Sequence, residues 1–525
     1  MKSIIASVTL IFCQSFLFAQ NEDVGLLLNN GNISDGYILF TPEKNKSVYL
    51  INNCGEKINE WTFSERPGLT CYLLENGNLL QSGKDSLEIR DWNNNLIWSY
   101  DLDGNGINHH HDIEPLPNGN ILCIVRDEYT VAQTTAAGKD PILAIGDTEY
   151  EKIIEIEPVG TNSANIVWEW KFFDHLVQEF DNSKPNYGIV SNNPQLLNIN
   201  IDSDVDYIHF NGIDYNEDLD QILLSARHTN EIYIIDHSTT TTEAASHSGG
   251  NSGKGGDILW RWGNIAAYNQ GSVSDQKLGL QHDAKWTKFA GDAGKISVFS
   301  NEAQTPQVNG SEILLIEPNL TNYNYNLSNG IFDPINEDWK WSGNVLGNEV
   351  AESKKSGVIQ LENGNFLLTE TSLGQASEVT KDGDVIWVYR NPAGVNIYNQ
   401  GTFLAIGNNN TTFRMEKYPS NYAGFAGKDM TPDGIIEDYN TNSDTCAMGL
   451  NIIENIETSI QLVNPAVNGK IHFINEDNIN FVNVYDVNGK VIESNHPNLI
   501  ALNKGIYFIE FYLNGSKFVK KLIVQ

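Results

Sequence analysis

Basic residues are scarce in this chain of 525 residues. Lysine and arginine together number 33, against 67 aspartates and glutamates, so the formal net charge is −34. A chain this acidic is repelled by phosphate backbones and by anionic lipid. Nucleic-acid binding and membrane attachment through basic patches are therefore excluded as main functions. Wholesale disorder is excluded as well, because only 19% of the residues are charged whereas 40% are hydrophobic and 10% aromatic.

Long hydrophobic runs are also missing after the N-terminus. The first residues combine Lys2, a mostly apolar stretch from Ile4 to Phe18 and a candidate cleavage site at Phe18-Ala19-Gln20. This pattern is typical of a secretory signal peptide over residues 1–20, and its apolar part is shorter than the roughly 20 residues that a spanning helix needs. The mature protein is therefore expected to be exported and soluble, with no membrane span.

Cysteines number only five, and Cys13 lies inside the predicted signal peptide. The other four stand at Cys54, Cys71, Cys123 and Cys446, none of them in CxxC spacing, which argues against a cysteine zinc site. Export permits disulfides, and Cys54 and Cys71 are the nearest pair. The pairing stays open, with free buried thiols as the alternative.

A strand-like run that ends in tryptophan returns six times between residues 30 and 450. The returns stand at Trp61, Trp98, Trp168 with Trp170, Trp260 with Trp262, Trp339 with Trp341, and Trp387. They accompany Asn-Gly or Asp-Gly turns and period-two alternation, and there is no long amphipathic helical pattern. The fold class predicted is all-β, a six-bladed β-propeller over residues 21–450, with a β-sandwich array or a β-helix as alternatives.

The uneven spacing of the returns is attributed to polar insertions such as residues 239–256. Residues 391–450 are expected to supply strands that close the ring against the first blade. The tail, residues 458–525, has a different composition and reads as short strands joined by turns, which predicts a small independent β-sandwich.

This tail resembles the C-terminal sorting domain of the type 9 secretion system of Bacteroidetes. The resemblance is carried by Asn464-Pro465, the central VYDVNGKVI, Lys504-Gly505-Ile506-Tyr507 and the final KKLIV. It implies recognition by the type 9 secretion machinery, passage through the outer membrane, and then a secreted or cell-surface location. A periplasmic location is the second choice.

Histidines are few, eleven in all, yet several fall into distinctive clusters. His111, His209 and His282 each stand at the start of a predicted first strand, and the first strands of a propeller line its channel. We therefore expect the three imidazoles to converge at one mouth, with Arg227 pointing into the same funnel. His228 follows Arg227 on the same predicted strand and should point the opposite way.

Each cluster also has a plainer structural interpretation. The HHHD run could be a solvated turn, His209 a hydrogen-bonded strand histidine, and Arg227 part of a surface ion pair. The tryptophan series is expected to be core packing. Three further histidines, His175, His237 and His247, lie in polar contexts and are predicted to be exposed.

Three imidazoles and one guanidinium allow two chemistries. Neutral imidazoles bind zinc, whereas a nucleophilic imidazole beside an arginine can handle a tetrahedral anion. Arg227 favours the second chemistry, because a guanidinium is repelled by a divalent cation but forms a bidentate contact with a sulfuryl or phosphoryl group. No metal and no cofactor are expected.

At this point the sequence resembles the bacterial arylsulfate sulfotransferase family. The stretches that carry the resemblance are HHHDIEPLPNGNIL, DYIHFNGIDYNEDLDQILLSARH, GDILWRWG, LGLQHDAKW and ASEVTKDGDVIWVY, which lie between about residues 30 and 450. The resemblance implies a six-bladed propeller that moves a sulfuryl group from a phenolic sulfate ester to a phenol, without a nucleotide donor.

The resemblance also implies roles for individual residues. The transiently sulfated histidine corresponds to His282, and the residues that hold the anion correspond to His209, Asn211 and Arg227. A further histidine matches His111, with His110 as the fallback, and the family's later hydroxyl falls on Thr369 or Thr371. The acceptor pocket is not assigned.

Two other function classes stay open. One is a metal-dependent sulfo- or phosphoester hydrolase that uses the same histidines, and the other is a non-catalytic surface propeller that binds glycans or phenolics. Hydrolysis to water in place of transfer to a phenol is a further option. The sequence leaves the oligomeric state open, and a homodimer is one option.

Overall fold

The structure is a computed structural model of the whole chain. It describes residues 24–437, except Lys84, Ala290 and 401–408, and in the tail residues 461–462, 473–474, 479–485, 490–494, 505–513 and 516–524. The predicted signal peptide lies outside these described residues. The chain divides into two compact units, one of Met1–Leu28 and Asn32–Thr441, the other of Asn29–Gly31 and Asn442–Gln525.

Six antiparallel sheets form the larger unit, and we number them as blades in chain order, each from its inner to its outer strand. Blade 1 comprises Thr412–Tyr418, Tyr37–Pro42, Ser47–Asn52 and Lys57–Thr62. Blade 2 comprises Cys71–Leu73, Leu79–Ser82, Ser86–Arg90 and Leu96–Asp101. Blade 3 comprises His109–Pro115, Ile121–Tyr129, Thr148–Val159 and Ser163–Lys171. Blade 4 comprises Phe210–Asn216, Gln221–Ala226, Glu231–Asp236 and Trp260–Trp262. Blade 5 comprises His282–Trp286, Ile296–Ser300, Glu312–Ile316 and Trp339–Trp341. Blade 6 comprises Gly357–Gln360, Phe366–Glu370, Gln375–Val379, Val385–Arg390 and Gly25–Asn29.

The ring is closed by strands from both ends of the propeller. The strand Thr412–Tyr418 pairs antiparallel with Tyr37–Pro42 and becomes the inner strand of blade 1. The strand Gly25–Asn29 is added at the outer edge of blade 6. The sequence prediction of a six-bladed propeller is therefore confirmed, as is the expectation that residues 391–450 contribute to closing the ring.

The hydrophobic cores lie between neighbouring blades. Apolar side chains of blades 3 and 4 form one buried cluster, those of blades 4 and 5 a second, and further clusters join blades 2 and 3, 5 and 6, and 1 and 2. Successive side chains along a strand point to opposite faces of its sheet, and both faces of each sheet meet a neighbouring sheet. Apolar side chains on either face are therefore buried between two blades.

The recurring tryptophans connect each blade to the next one around the ring. Most of their indole N–H groups donate to backbone carbonyls of the following blade or its loops: Trp61 to Asp91, Trp98 to Ser163, Trp170 to Gly256, Trp260 to Asp333, Trp341 to Gly383 and Trp387 to Asn53, at 2.7–3.2 Å. A buried indole needs a hydrogen-bond partner, and here the neighbouring blade supplies it. The sequence repeat is therefore a repeat of contacts between blades.

The remaining elements of this unit are short. The α-helices are Val131–Ala136 and Thr241–Ala244. The 3₁₀ helices are Asp103–Asn105, Phe172–Asp174, Val190–Asn192, Ile265–Tyr268, Val273–Asp275, Thr371–Leu373 and Ala423–Phe425. The two-residue strand pairs are Leu176–Val177 with Leu197–Asn198, Leu320–Thr321 with Asn324–Tyr325, Leu327–Ser328 with Ile331–Phe332, and Asn344–Val345 with Asn348–Glu349. Among the described residues, no helix has the length and hydropathy required to cross a membrane.

The tail unit contains one four-stranded antiparallel sheet, in the order Val491–Ser494, Ile479–Tyr485, Gly505–Leu513 and Ser516–Val524. The strands Gln461–Leu462 and Phe473–Ile474 form a separate pair. The predicted strand content of the tail is thus present, whereas its assembly into a sandwich stays a prediction.

The cysteine pair nearest in sequence does not form a disulfide. Cys54 is disulfide-bonded, whereas Cys71 and Cys123 are free and buried. Cys71 lies on the inner strand of blade 2 and packs in the core between blades 1 and 2. Cys446 lies outside the described residues.

Candidate functional site

The start of the inner strands in blades 3, 4 and 5 is irregular, and the histidines lie at these irregularities. His111 and His209 both have left-handed backbone conformations, with φ of 57° and 56°. The strand register shifts near the start of each of the three inner strands. Such conformations are uncommon for residues other than glycine and concentrate at functional sites.

His111 and His209 are in direct contact. Their Nε2 atoms are 3.0 Å apart, and the Nδ1 of His209 is 2.7 Å from the carboxylate of Asp206. The Nδ1–H of His209 therefore donates to Asp206, and its Nε2 is left as an acceptor for the Nε2–H of His111. Among the described residues the buried Nδ1 of His111 has no partner. The ring of Phe413, from the closing strand, stacks on His111 with centroids 5.7 Å apart.

The His110 ring packs against this pair, with ring centroids 4.2 Å from His111 and 4.8 Å from His209, and its Nδ1 contacts Glu151 through a short hydrogen bond. Burial lowers the pKa of His110 to about 3 and raises the pKa of Glu151 to about 8. At neutral pH the contact is therefore a hydrogen bond between uncharged groups, in which Glu151 donates. The second oxygen of Glu151 accepts the backbone N–H of Phe210, so the carboxyl joins blade 3 to the residue that follows His209.

His282 opens the inner strand of blade 5 and is almost completely buried, at 2% exposure. Its Nδ1 lies 2.7 Å from Oδ1 of Asn301 and 3.0 Å from the carbonyl of Leu280, both of which are acceptors. The proton of the neutral ring is therefore on Nδ1, and Nε2 carries the lone pair. That lone pair accepts the backbone N–H of Lys355 at 3.0 Å.

The imidazoles of His111 and His282 are both held neutral. Burial lowers the pKa of each well below its usual value, because the charged form loses its hydration. The charges of Arg414 and Arg227 lower the pKa of His282 further, and His282 in turn contributes to lowering the pKa of His111. Asp112 and Asp283, the residues that follow these two histidines, both form ion pairs with Arg414, so the inner strands of blades 3 and 5 meet at one guanidinium.

Arg227 and His228 lie side by side, which contradicts the prediction that they point in opposite directions. The Nη1 of Arg227 donates to Nε2 of His228 at 2.7 Å, and the His228 ring stacks on His209 with centroids 4.7 Å apart. The strand ends at Ala226, so the alternation of side chains no longer applies to the two residues that follow. The Nδ1–H of His228 donates to the carbonyl of Asp206.

Arg414 is a further buried guanidinium next to these residues, and it was not predicted from the sequence. We call this site the hub, and its members are His111, His209, His282, Arg227 and Arg414. It forms ion pairs with Asp112 and, at 3.1 Å, with Asp283, and it donates to the carbonyl of Asn211 at 2.5 Å. Burial alone would lower the pKa of Arg414, but the two carboxylates raise it above its ordinary value. Its signal in the sequence is the alternation of Arg414 and Glu416 with apolar residues on the strand that closes the ring.

Asn211 is fully buried, and its side-chain amide forms a hydrogen bond with the backbone. Its amide donates to the carbonyl of Gln281 at 2.7 Å, directly before His282, while its Oδ1 has no partner among the described residues. Asn211 therefore connects blade 4 to the histidine of blade 5. This leaves one amide hydrogen for any bound anion.

Thr369 and Thr371 are both buried and engaged with the backbone. The hydroxyl of Thr369 accepts the N–H of Met415 at 3.2 Å. The hydroxyl of Thr371 accepts the N–H of Ser356 at 2.8 Å and donates to the carbonyl of Phe413 at 3.1 Å. Both side chains support the closing strand, and among the described residues neither forms a hydrogen bond with the clustered histidines.

Two sets of side chains at the hub have ligand atoms close enough to share a metal ion. They are His110, His111 and His209, and Asp206, His209 and His228. In the second set, the guanidinium of Arg227 donates to the atom of His228 that would have to bind the metal. A divalent cation would therefore have to displace a positive charge there, which disfavours it.

Two of the histidines predicted to be exposed are not. His175 is completely buried, and His237 is held between the carboxylates of Glu155 and Asp220, at 3.3 and 2.7 Å. His247 is exposed, as predicted, with 61% of its side chain accessible. The polar sequence context was misleading because acidic and backbone acceptors from distant segments surround His175 and His237.

No curated protein matches the chain. Among solved structures, a protein of unknown function from Bacteroides caccae shares 11% identity, over 73% of this chain and 98% of that one, with a TM-score of 0.38. Streptogramin B lyase shares 11% over 75% of this chain and 98% of that chain, with a TM-score of 0.35. Virginiamycin B lyase from Staphylococcus aureus shares 10% over 69% of this chain and 87% of that chain, with a TM-score of 0.31.

Family models match both parts of the chain. The model of the secretion system C-terminal sorting domain matches residues 464–525, which indicates export to a surface or secreted location. The model described as arylsulfotransferase (ASST) matches residues 29–308, more than half of the chain, and this range contains His111, His209, Arg227 and His282. The chain therefore belongs to the arylsulfotransferase (ASST) family.

Proposed function

We propose that the protein transfers a sulfuryl group from a phenolic sulfate ester to a phenol, through a sulfated intermediate on His282. The observation that carries the proposal is the state of His282. It is a buried, neutral imidazole whose Nδ1–H is fixed by Asn301 and the carbonyl of Leu280, so that Nε2 is the nucleophilic atom. A neutral imidazole is the form that can attack sulfur.

In the first step, Nε2 of His282 bonds to the sulfur of the donor while the bond from sulfur to the phenolic oxygen breaks. The pair formed by His111 and His209 enters this step with one extra proton, taken up from solvent together with the anionic donor, and the leaving phenolate takes that proton, which leaves both rings neutral. In the second step, the same pair removes the proton of the incoming phenol, whose oxygen displaces Nε2 and regenerates neutral His282. A positioned acid and base of this kind typically contributes about 10²–10⁴-fold to the rate.

The donor has to replace one hydrogen bond before it can react. The N–H of Lys355 now occupies the lone pair of Nε2, at 3.0 Å. When sulfur takes that position, the same N–H is available to donate to a sulfuryl oxygen. Lys355 and Ser356 both have left-handed backbone conformations, with φ of 60° and 73°, and this local strain marks the segment that has to adjust.

We assign to Arg227 the stabilisation of the negative charge on the transferring sulfuryl group. Its guanidinium is half-buried and oriented by the Nε2 of His228. Arg414 is held by two carboxylates, so we assign it to positioning: it fixes Asp112, Asp283 and the backbone of Asn211. Asn211 offers its remaining amide hydrogen to the anion. Donors that are fixed before reaction contribute on the order of 10²–10³-fold each.

The test uses p-nitrophenyl sulfate as donor and phenol as acceptor, without added metal. The wild-type protein should release p-nitrophenol and, without acceptor, gain the mass of one sulfuryl group. His282→Ala should lose both, and labelling that persists in this variant would overturn the assignment. Arg227→Lys should be strongly impaired although it keeps the charge, because the bidentate fork is lost. Release that does not respond to phenol would identify hydrolysis as the reaction.

A metal-dependent sulfo- or phosphoester hydrolase is the second candidate function. It is favoured by one observation, the closeness of ligand atoms from His110, His111 and His209, all within 4.8 Å of one another. Activity that survives complete removal of metal supports transfer through His282. Activity that disappears on chelation and returns with zinc supports the hydrolase.

We also propose the following organisation for the exported protein. Residues 1–20 act as the signal peptide, 21–450 as the catalytic propeller and 458–525 as the domain recognised by the type 9 secretion machinery. The match of the sorting-domain family supports the last assignment. Deleting residues 458–525 should leave the propeller in the periplasm, whereas surface delivery of the shortened protein would contradict this role.

A further inference from the structure

We propose that His175, His247 and Asp257 form a zinc site that fastens the polar insertion of blade 4 to the segment after blade 3. His175 follows the outer strand of blade 3, while His247 and Asp257 belong to the insertion between the third and fourth strands of blade 4. None of the three belongs to the hub described above, and the proposed sulfuryl transfer makes no use of them.

The three side chains converge on one point. The Nδ1 of His175 is 3.0 Å from Oδ1 of Asp257, and the Nδ1 of His247 is 2.6 Å from the same oxygen. All three ligand atoms lie within 4.8 Å of one another. Ligand atoms bound tetrahedrally to zinc at about 2.0–2.1 Å are roughly 3.3 Å apart, so small side-chain shifts suffice to admit the ion.

The hydrogen bond at Nε2 of His175 directs the other ring nitrogen, Nδ1, at the carboxylate of Asp257. Its Nε2 is 2.8 Å from the carbonyl of Ala244, an acceptor, so this nitrogen carries a proton. In the neutral ring the lone pair is then on Nδ1 and faces the carboxylate of Asp257. Two acceptors at 3.0 Å repel each other unless a proton or a metal ion lies between them. A zinc ion satisfies both, and the carbonyl of Ala244 then orients the ring as outer-shell carbonyls do at zinc sites.

The surroundings of His175 are built to hold its ring in one orientation. The ring is completely buried and stacks on Trp170, with centroids 5.6 Å apart and planes 6° apart. A Cβ added to Gly256 would lie 2.0 Å from the carbonyl of Ala244 and 2.6 Å from Nε2 of His175, so only glycine fits beside the ring. Asp257 is also buried, at 5% exposure.

The donor set and its exposure select the metal. Two imidazole nitrogens and one carboxylate oxygen suit zinc better than calcium or magnesium, which prefer oxygen ligands. His247 is mostly exposed and provides both the route of entry and a fourth position open to water. The bound ion would cross-link His247 and Asp257, in the segment between the third and fourth strands of blade 4, to His175, more than seventy residues earlier in the chain than His247.

The test measures metal bound per full-length chain. The protein is stripped with chelator, given a small excess of zinc, passed through a desalting column and analysed for its metal content. His247→Ala changes an exposed residue and should fold, yet it should hold one zinc fewer than the wild type. The matched control is His237→Ala, which removes an imidazole that also contacts two carboxylates and should leave the zinc content unchanged.

Thermal unfolding provides the second readout. Zinc should raise the melting temperature of the wild type, since the ion binds only the folded chain, and should raise that of His247→Ala less. Cobalt in place of zinc should give absorption bands of a four-coordinate ion that are lost in His247→Ala. Equal zinc content and equal thermal shifts in the wild type and His247→Ala would overturn the proposal, and would leave His175 in a direct hydrogen bond with Asp257.

Discussion

The hydrogen bond from His282 to Asn301 allows a quantitative test of the proposed mechanism. When Nε2 bonds to sulfur, the imidazole becomes cationic and its Nδ1–H becomes a stronger donor. A neutral hydrogen bond contributes about 1 kcal/mol and one with a charged partner about 1.5–3 kcal/mol. The bond to Oδ1 of Asn301, at 2.7 Å, should therefore stabilise the transition state by about 0.5–2 kcal/mol more than the ground state.

Asn301→Ala should slow sulfation of His282 by roughly 2–30-fold, the factor that corresponds to this difference. The loss stays moderate because the carbonyl of Leu280 still accepts from Nδ1, at 3.0 Å. The rate is measured as the pre-steady-state burst of p-nitrophenol from p-nitrophenyl sulfate, which reports the first step alone. Steady-state turnover would mix this step with transfer to the acceptor.

The same substitution should also lower the free energy of unfolding. The amide of Asn301 donates to the carbonyls of Glu352 and Lys355, at 2.9 and 3.0 Å, and their loss leaves buried acceptors unpaired. The expected cost is about 2–4 kcal/mol. Asn301→Asp separates the two effects, because it loses these donors but keeps the acceptor for Nδ1.

Asn301→Asp should therefore be destabilised at least as much as Asn301→Ala, while its burst should not fall below the wild-type rate, because a carboxylate accepts from the cationic imidazole at least as well as the amide does. A further control is Asn53→Ala, since this amide also donates to a backbone carbonyl, that of Ser34, but lies in a turn of blade 1. It should lose stability without loss of burst rate. A folded Asn301→Ala protein with an unchanged burst would refute the role given to Nδ1.

Arg414→Met should lower the free energy of unfolding by about 3–5 kcal/mol in urea titrations, because two buried carboxylates lose their partner. Arg126→Met, at a half-exposed ion pair, is the control and should cost less than about 1 kcal/mol. Equal costs for the two variants would contradict the buried network. His228→Phe keeps the ring next to His209 but removes the acceptor for Arg227, and should lower kcat/KM for the donor about 5–30-fold; an unchanged value would exclude a positioning role. Burial holds the pKa of His282 well below its usual 6.5, so the reactive neutral form persists as the pH falls through 6.5. The value of kcat/KM should therefore decline only at clearly lower pH. An acid limb of the pH profile centred at 6.5 or above would be inconsistent with the buried ring.

The propeller was predictable because its signals are local. Tryptophan at the end of each repeat packs against the following blade, and its indole N–H finds a carbonyl there, so the same residue type returns with each blade. Glycine after asparagine marks several of the hairpins, as at Gly77, where φ is 81°. These features depend only on neighbouring strands, so they can be recognised in the sequence without knowing how the ring closes.

Other features could not be predicted because they join segments far apart in the chain. Arg414 pairs with Asp112, 302 residues away, and the pair exists only because the closing strand becomes the inner strand of blade 1. The tautomer of His282 depends on Asn301, and the N–H that covers its Nε2 comes from Lys355, in the segment that connects blade 5 to blade 6. Alternation within a strand gave the wrong orientation for His228, because the strand ends two residues earlier.

The amino-acid sequence by itself determined the repeat, the strands, the sorting tail and which residue types carry the chemistry, since each of these depends on short-range pattern. Tertiary structure alone decided which nitrogen of each imidazole is free, which histidines are buried, and which guanidinium is paired with carboxylates. The physical reason is that protonation and hydrogen bonding are set by groups within a few ångströms. In a closed ring of six sheets, those groups come from six separate parts of the chain.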